Sequence, residues 1–315
     1  MTVPVFYSIS DDFTPYAAVS LHSLVKHADP KRDYTVTFLH QGLSRDHEKA
    51  LAAYNRDNVH IKFYEMSDEL LKPIQDRKEN YLRGDFFAMP IFYRLFIPDL
   101  FPEYDKVVYI DSDTVLNDDI AKLYDHDLGN NLLGACTDTS IQFVEKMLRY
   151  IKEVLTLDPK EYINSGMLVM NAKAFREENF VDKFFSLLGR YDFDCIAPDQ
   201  DYLNEICSGR IKYLDGRWDA MPNENTAALE NPGLIHYNLF FKPWRFSGIQ
   251  YEDYFWTNAE ETIFADELKA ELAKTTDEER DTEYHKLDHM LGKLDTTLQD
   301  PHNWARVKEN EQVTL

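Results

Sequence analysis

The feature that most constrains this chain is Val107-Val108-Tyr109-Ile110-Asp111-Ser112-Asp113-Thr114-Val115. Four apolar residues, mostly β-branched or aromatic, run unbroken into two acids. A continuous apolar run of this kind reads as a strand buried on both faces. Side chains alternate along an extended segment, so Asp111 and Asp113 face the same side. In open α/β sheets, ligands bind beyond the carboxyl ends of the strands. Two neighbouring carboxylates repel, and keeping both ionised calls for a cation. Hard divalent ions such as Mg²⁺ or Mn²⁺ bind through a few carboxylates and share their other positions with phosphate oxygens. The local expectation is a metal site at a sheet edge that holds a phosphorylated ligand.

Three rival readings compete. An EF-hand loop needs an acid or amide at its fifth position and Gly at its sixth. Val115 and Leu116 stand there, which excludes it. Asp-Ser-Asp-Thr-Val also resembles the nucleophile motif of haloacid dehalogenase-type phosphatases, with Asp111 attacking phosphate. That family places the strand at the start of its core domain, whereas much of an α/β unit precedes it here. The last rival is a strand end followed by a solvated acidic turn, Asn117-Asp118-Asp119. This stretch alone leaves the second and third open.

The 315 residues suffice for one large α/β domain with an appendage and a well-buried core. The net charge of −22 argues against non-specific nucleic-acid binding and against a broad basic membrane patch. A protein this acidic gains from a bridging cation if its ligand carries phosphate. Cys136, Cys195 and Cys207 include no Cys-x-x-Cys pair, so neither a disulfide framework nor a zinc ribbon is expected. The start shows no signal peptide and no apolar run spans a bilayer, so the expected location is the cytoplasm, with no transmembrane segment.

Strands are expected over Val3–Ile9, Tyr34–His40 and Val59–Tyr64, with helices over Tyr16–Lys26 and from Ser44 onward. That alternation predicts a parallel, helix-covered sheet. No Gly-x-Gly-x-x-Gly or P-loop follows the first strand, so a bound nucleotide is not held by a glycine-rich cradle. Asp68 to Phe87 lacks periodicity and is read as a surface loop or a lid. A short helix, Ile91 to Pro98, carries Arg94 as its one charge, either in a buried ion pair or as a phosphate or sugar ligand. Later come a short helix over Ile120–Tyr124, a strand over Leu132–Cys136 with Asp138 at its exit, and a helix over Glu145–Leu155. Tyr162 to Asn171 reads as a polar turn entering a buried strand, followed by a helix over Phe180–Tyr191. Asp199-Gln200-Asp201 is either helix capping or a cluster aimed into a cleft. Leu234-Ile235-His236 supplies a candidate nitrogen ligand, and Lys242-Pro243 a stiffened cation for phosphate.

Taken together, these blocks resemble the bacterial family 8 retaining glycosyltransferases, the group of lipopolysaccharide galactosyl- and glucosyltransferases. The resemblance runs from about Val3 to about Trp244. It rests on Ser10-Asp11-Asp12-Phe13 with Pro15-Tyr16, Phe92-Tyr93-Arg94, Tyr104 to Asp113, Tyr162 to Gly166, Asp199-Gln200-Asp201, and His236 followed by Lys242-Pro243-Trp244. Six blocks in order are specific where each alone is weak. The resemblance implies a GT-A fold: one Rossmann-like α/β domain with a mixed central sheet. It implies a UDP-galactose or UDP-glucose donor, a glycan acceptor and Mn²⁺, with Mg²⁺ as a substitute. Asp111, Asp113 and His236 would hold the metal, and Lys242 the diphosphate. Ser10, Phe13 and Ser112 would lie against the nucleotide, and Arg94, Asn164, Asp199 and Gln200 around the donor sugar. Gln200 and Asp199 would be the catalytic pair, and Asp138 would lie near the acceptor. Two positions depart from the pattern: Ser10 where relatives carry an acid, and Leu239 where they carry a glycine suited to φ > 0.

The chemistry agrees with these residues. A metal and Lys242 stabilise charge on a departing diphosphate, and Asp199 and Gln200 offer electron-rich groups to an oxocarbenium-like sugar. Gln200 is a poor nucleophile, which favours same-face attack by the acceptor over a covalent intermediate. The expected division is a glycosyltransferase domain over 1–250 and an acidic helical extension over 251–315, with helices over Glu260–Lys274 and Glu283–Leu298. That extension lacks a basic, aromatic lipid-docking segment and is expected to pack on the domain or to form a homodimer.

Overall fold

The computed structural model describes residues 2–75, 89–191, 193, 195–239, 242–311 and 313. The amino-terminal part alternates as expected: β1 (Thr2–Ser8), α1 (Thr14–His27), β2 (Asp33–His40), α2 (Arg45–Ala52) and β3 (Val59–Glu65). Ser44 caps α2, its hydroxyl accepting from the His47 amide at 3.3 Å. Asp68–Gln75 is a helix, α3, rather than loop, because Leu71 and Ile74 sink into the core. The remainder of the segment read as a loop or lid, 76–88, falls outside the described residues.

Beyond it come α4 (Pro90–Leu100), β4 (Val107–Ile110), β5 (Thr114–Leu116), α5 (Ala121–Tyr124), β6 (Leu133–Thr137) and α6 (Glu145–Glu153). They are followed by β7 (Ile163–Met170), α7 (Ala172–Glu177), α8 (Phe180–Arg190), α9 (Pro198–Ile206), β8 (Ile211–Tyr213) and β9 (Leu234–His236). Among the described residues, one sheet runs β3-β2-β1-β4-β7-β6-β8. β3, β2, β1 and β4 are parallel; β7 runs antiparallel to both β4 and β6. This is a mixed α/β sheet of the GT-A kind. The polar Asn164-Ser165-Gly166 belongs to the buried strand itself, not to a turn before it. Its side chains are satisfied by side chains of α9 and β6's exit, so polarity here marks a site rather than a loop.

β4 delivers the acids, and a small second ladder receives them. β5 pairs antiparallel with β9, setting Thr114 opposite His236. The other edge of β5 is closed by α1: the Leu116 amide donates to Ser23 Oγ at 2.9 Å, and Ser20 and Thr114 hydroxyls meet at 2.8 Å. Small side chains on that face of α1 allow the helix to stand in for a strand.

The tail holds four helices rather than two: α10 (Glu252–Ala259), α11 (Ala265–Lys274), α12 (Asp277–Thr297) and α13 (Trp304–Glu311). Phe255, Ala259, Phe264 and Leu268 join the apolar cluster around α1. Met290, Leu294, Trp304 and Val307 join the other cluster, beneath α4, α8 and α9. The 21 residues of α12, roughly 30 Å of helix, connect the two. No helix among the described residues is long and apolar enough to cross a membrane.

Ser23→Ala leaves the buried Leu116 amide without its acceptor. It is expected to cost about 1–3 kcal/mol in urea unfolding. A loss below about 0.5 kcal/mol would show that β9 alone secures β5.

Candidate active site

The site begins where β4 ends. The Asp111 amide donates to Gly166 O at 2.7 Å, extending the β4–β7 ladder by one step. Across the small ladder, the Tyr237 amide donates to Asp113 O at 2.9 Å. These two backbone bonds bring Asp111, Asp113 and His236 together. One ligand atom from each lies within 4.8 Å of the others. His236 Nε2 stands 3.3 Å from Asp113 Oδ1 and 3.8 Å from Asp111 Oδ2. Asp113 Oδ1 is buried and accepts no hydrogen bond. Two carboxylates and an imidazole, with an oxygen left over, suit a divalent ion of the Mn²⁺ type.

The other face of His236 meets Asp219, a residue with no place in the sequence expectation. Nδ1 lies 3.0 Å from Asp219 Oδ1. Burial lifts the Asp219 carboxyl to about 6, with His236 pulling it down. At neutral pH it is therefore ionised, accepts from Nδ1–H, and leaves Nε2 aimed at the aspartates. Burial lowers the pKa of His236, but Asp113 and Asp219 more than reverse this and raise it to about 10. Asp113 responds in kind: burial raises its pKa, and Lys242 and His236 together hold it far below the usual carboxylate range. Lys242 Nζ ion-pairs with Asp113 and donates to Tyr237 O, so it lies directly against the candidate metal cluster. Trp244 anchors that lysine's loop by stacking on Tyr16 with centroids 4.1 Å apart.

Gly166 lies beneath this cluster. A Cβ there would fall 2.2 Å from His236 Cε1 and 2.7 Å from Asp111 Oδ2. Only glycine lets β7 pass so close.

A second cluster adjoins the first, and Arg94 joins them. Its Nη2 donates to Asp111 Oδ1 at 2.9 Å, and its Nε lies 3.4 Å from Asp199 Oδ2. The guanidinium covers the Tyr109 ring at 4.4 Å, and the Tyr109 hydroxyl donates to Asp111 at 2.6 Å. Burial disfavours the charge on Arg94, yet Asp111, Tyr109 and Asp199 hold its pKa above its ordinary value. Gln200 is fixed at both ends of its amide: Oε1 accepts from the Ser165 amide at 3.0 Å, and Nε2 donates to Asp138 at 3.0 Å. Asn164 also reaches Asp138, at 3.2 Å, and the Ser165 hydroxyl donates to Asp199 at 2.9 Å. Asp201 departs from its neighbours. It faces away from this cluster, accepting from the Tyr150 and Tyr162 hydroxyls and from the Ile196 and Ala197 amides. The Asp-Gln-Asp run is thus part site and part scaffold.

The remaining expected residues lie at the end of β1 and in the turn between the two acids. Ser10 is exposed, at the entry to a 3₁₀ turn spanning Asp11–Phe13. Phe13 is 38% exposed and packs edge-on against Tyr16. Asp11 is bound by the Ser44 amide and by His47. Ser112 is buried in the turn between the two acids. Leu239 adopts φ +65 despite its side chain. The loop takes that conformation at a strain of about 1–2 kcal/mol.

Asp219→Ala removes the group that aims His236 and is expected to lower Mn²⁺ affinity about 10–100-fold by calorimetry. Asp219→Asn keeps an acceptor and is expected to keep most of the affinity. Gly166→Ala is expected to abolish measurable Mn²⁺ binding while circular dichroism stays unchanged; retained binding would refute the close packing.

Comparison with known proteins bears on the family and the fold. The profile of Glycosyl transferase family 8 matches residues 4–248. A putative glycosyltransferase of Haemophilus influenzae is 25% identical over 224 residues, 71% of this chain and 64% of that protein. The apo structure of the bifunctional glycosyltransferase WbbM superposes with TM-score 0.74 and 26% identity, covering 87% of this chain and 52% of that one. The galactosyltransferase LgtC, solved with donor and acceptor sugar analogues, superposes with TM-score 0.70 and 22% identity, covering 86% of this chain and all of that one. The chain thus spans about half to two-thirds of the first two relatives. The phosphatase reading of Asp111 falls: its carboxylate is held by Arg94 and Tyr109, and the matched segment contains it. The chain belongs to glycosyl transferase family 8.

Proposed function

We propose that this chain is a retaining hexosyltransferase that moves galactose or glucose from a UDP-sugar to a hydroxyl of a glycan acceptor. The observation that carries the reading is the buried bridge from Asp111 through Arg94 to Asp199. It sets the metal-ligating pair beside the α9 residues at one fixed spacing. Asp111, Asp113 and His236 would hold a divalent ion, and the ion when bound would neutralise the departing diphosphate. Lys242 adds a second positive charge at the same place. Phe13, Tyr16 and Ser10 lie at the end of β1 where a uracil ring would be received.

The chain's own residues favour same-face attack. A covalent route needs a free nucleophile below the anomeric carbon. The Gln200 amide is committed to Ser165 and Asp138, and Asp199 to Ser165 and Arg94. Both are held as fixed dipoles or charges facing a developing oxocarbenium, which is a stabilising role. In that route the C1–O bond to the diphosphate breaks as the acceptor oxygen bonds C1 from the same side. The acceptor's proton passes to the departing phosphate oxygen. Asp138, bound to both Asn164 and Gln200, would lie on the acceptor side. The three cysteines are buried and none is in a disulfide, which suits a reducing cytoplasm.

The test is UDP release from UDP-galactose and UDP-glucose, with Mn²⁺ and with EDTA. Slow Mn²⁺-dependent hydrolysis of one donor is expected. Asp113→Ala is expected to lower it by at least about 100-fold. Binding of a donor without release would make the chain a nucleotide-sugar-binding protein, and neither binding nor release would overturn the donor assignment. Sugar trapped covalently on Asp199 would overturn same-face attack.

A further inference from the structure

The family match ends at residue 248, yet the chain continues and returns to the site from behind. α13 packs on the side of α9 away from the sugar cluster. Trp304 is fully buried, lying face-near on Phe193 with centroids 3.6 Å apart and edge-on to Tyr202 of α9 at 5.1 Å. One turn later, Lys308 Nζ reaches Glu205 Oε2 at 2.8 Å. Glu205 is 1% exposed and lies on α9, six residues after Asp199. Its second oxygen and the Trp304 indole N–H, which faces Glu205, are both buried without a well-formed hydrogen bond.

A buried ion pair with an unsatisfied oxygen is a poor way to gain stability, since an apolar pair in its place is often as good or better. What such a pair does fix is registry: α13 meets α9 at one place only. α9 has nine residues, so Glu205 and Asp199 are separated by roughly 9 Å of rigid helix. The front of α9 is tied to β7 through Gln200–Ser165 and Asn204–Ile163. The rear is tied through Lys308 and Trp304. Displacements of about 1 Å at reacting groups cost on the order of 100-fold in rate.

We propose that α13 positions the donor-sugar residues, with Lys308 and Trp304 acting through Glu205 and Tyr202 of α9 to fix where Asp199 and Gln200 sit. Lys308 and Trp304 are positioning residues; they touch neither substrate nor metal ligands. The proposal rests on the transfer role given above to Asp199 and Gln200.

The groups facing Glu205 are Lys308 and the Trp304 indole from α13 and Asp201 from its own helix; the Thr156 hydroxyl lies against Lys308. Burial raises the Glu205 carboxyl to about 7, with Lys308 pulling it down. The docked state therefore binds a proton more tightly than an undocked, solvated Glu205 at its ordinary value. Docking is strongest below that ordinary value and weakens as pH rises toward about 7.

Two readouts on the full chain decide the matter: hydrogen exchange of the α9 amides, and kcat and KM for UDP release. Lys308→Met is expected to speed α9 exchange and lower kcat by at least about ten-fold each, with donor KM within about two-fold. Lys308→Arg is expected to restore both. The double variant Lys308→Met with Glu205→Gln is expected to recover most of the kcat, because no unpaired carboxylate stays buried. Unchanged kcat and α9 exchange in Lys308→Met, with only a lower Tm, would overturn the proposal. If the wild type releases no UDP, the transfer reading fails on its own, and α9 exchange still decides the clamp. Should Lys308→Met not fold, Glu205→Gln supplies the test: its α9 protection factors, exchange rates divided into the intrinsic base-catalysed rates, are expected to lose the wild type's pH dependence between about pH 5 and about pH 8. The same dependence in both proteins would overturn the proposal.

Discussion

Arg94 carries a charge it cannot give up, and it carries it at 3% exposure. Such a charge is tolerable only if its neighbours compensate, so it dictates where the acids stand. Asp111 takes one end of the guanidinium and Asp199 lies by its Nε, while the Tyr109 ring covers its face. Losing any one of these leaves a buried charge short of partners, a deficit of several kcal/mol. The strand end of β4 and the helix start of α9 are therefore one unit, though 88 residues separate the two aspartates in the chain.

Much of this was legible before any coordinates. The β4 run, the alternation of early strands and helices, and the Ser44 cap follow from local rules that tertiary contacts reinforce. The clustering of Asp111, Asp113 and His236 was legible because two of them sit two residues apart and the third ends an apolar strand. Asp219 was not. It lies in a 3₁₀ turn, Gly216–Asp219, whose neighbours carry no period. Its meaning comes only from the contact with His236 across a ladder. Gly166 was visible as a letter but not as a necessity, since nothing in sequence says what a Cβ would strike. Leu239 marks the opposite limit: propensity argues against φ > 0, and the residue adopts it nonetheless.

The packing of the tail is hidden in the sequence for a different reason. Its composition is polar, and a polar stretch is easily taken as an appendage. The signal for α12 was nonetheless present: Thr276 and Glu279 form a reciprocal capping box, the spacing that announces a helix start. The apolar residues that matter are sparse and far apart, and each belongs to a cluster seeded by earlier parts of the chain. Helices α10 and α11 complete the packing around α1, and α12 and α13 complete it beneath α9. An acidic surface and a core-forming interior coexist in the same few turns.

Leu239 has one more implication. A glycine at φ +65 would share that conformation with several others of similar energy, and the loop would wander among them. Leucine has few alternatives near this backbone shape; its left-handed well is shallow but narrow. The backbone at Leu239 is therefore restricted before any ligand arrives. A ligand that closes on it has less disorder to remove, so part of the binding entropy has been spent during folding.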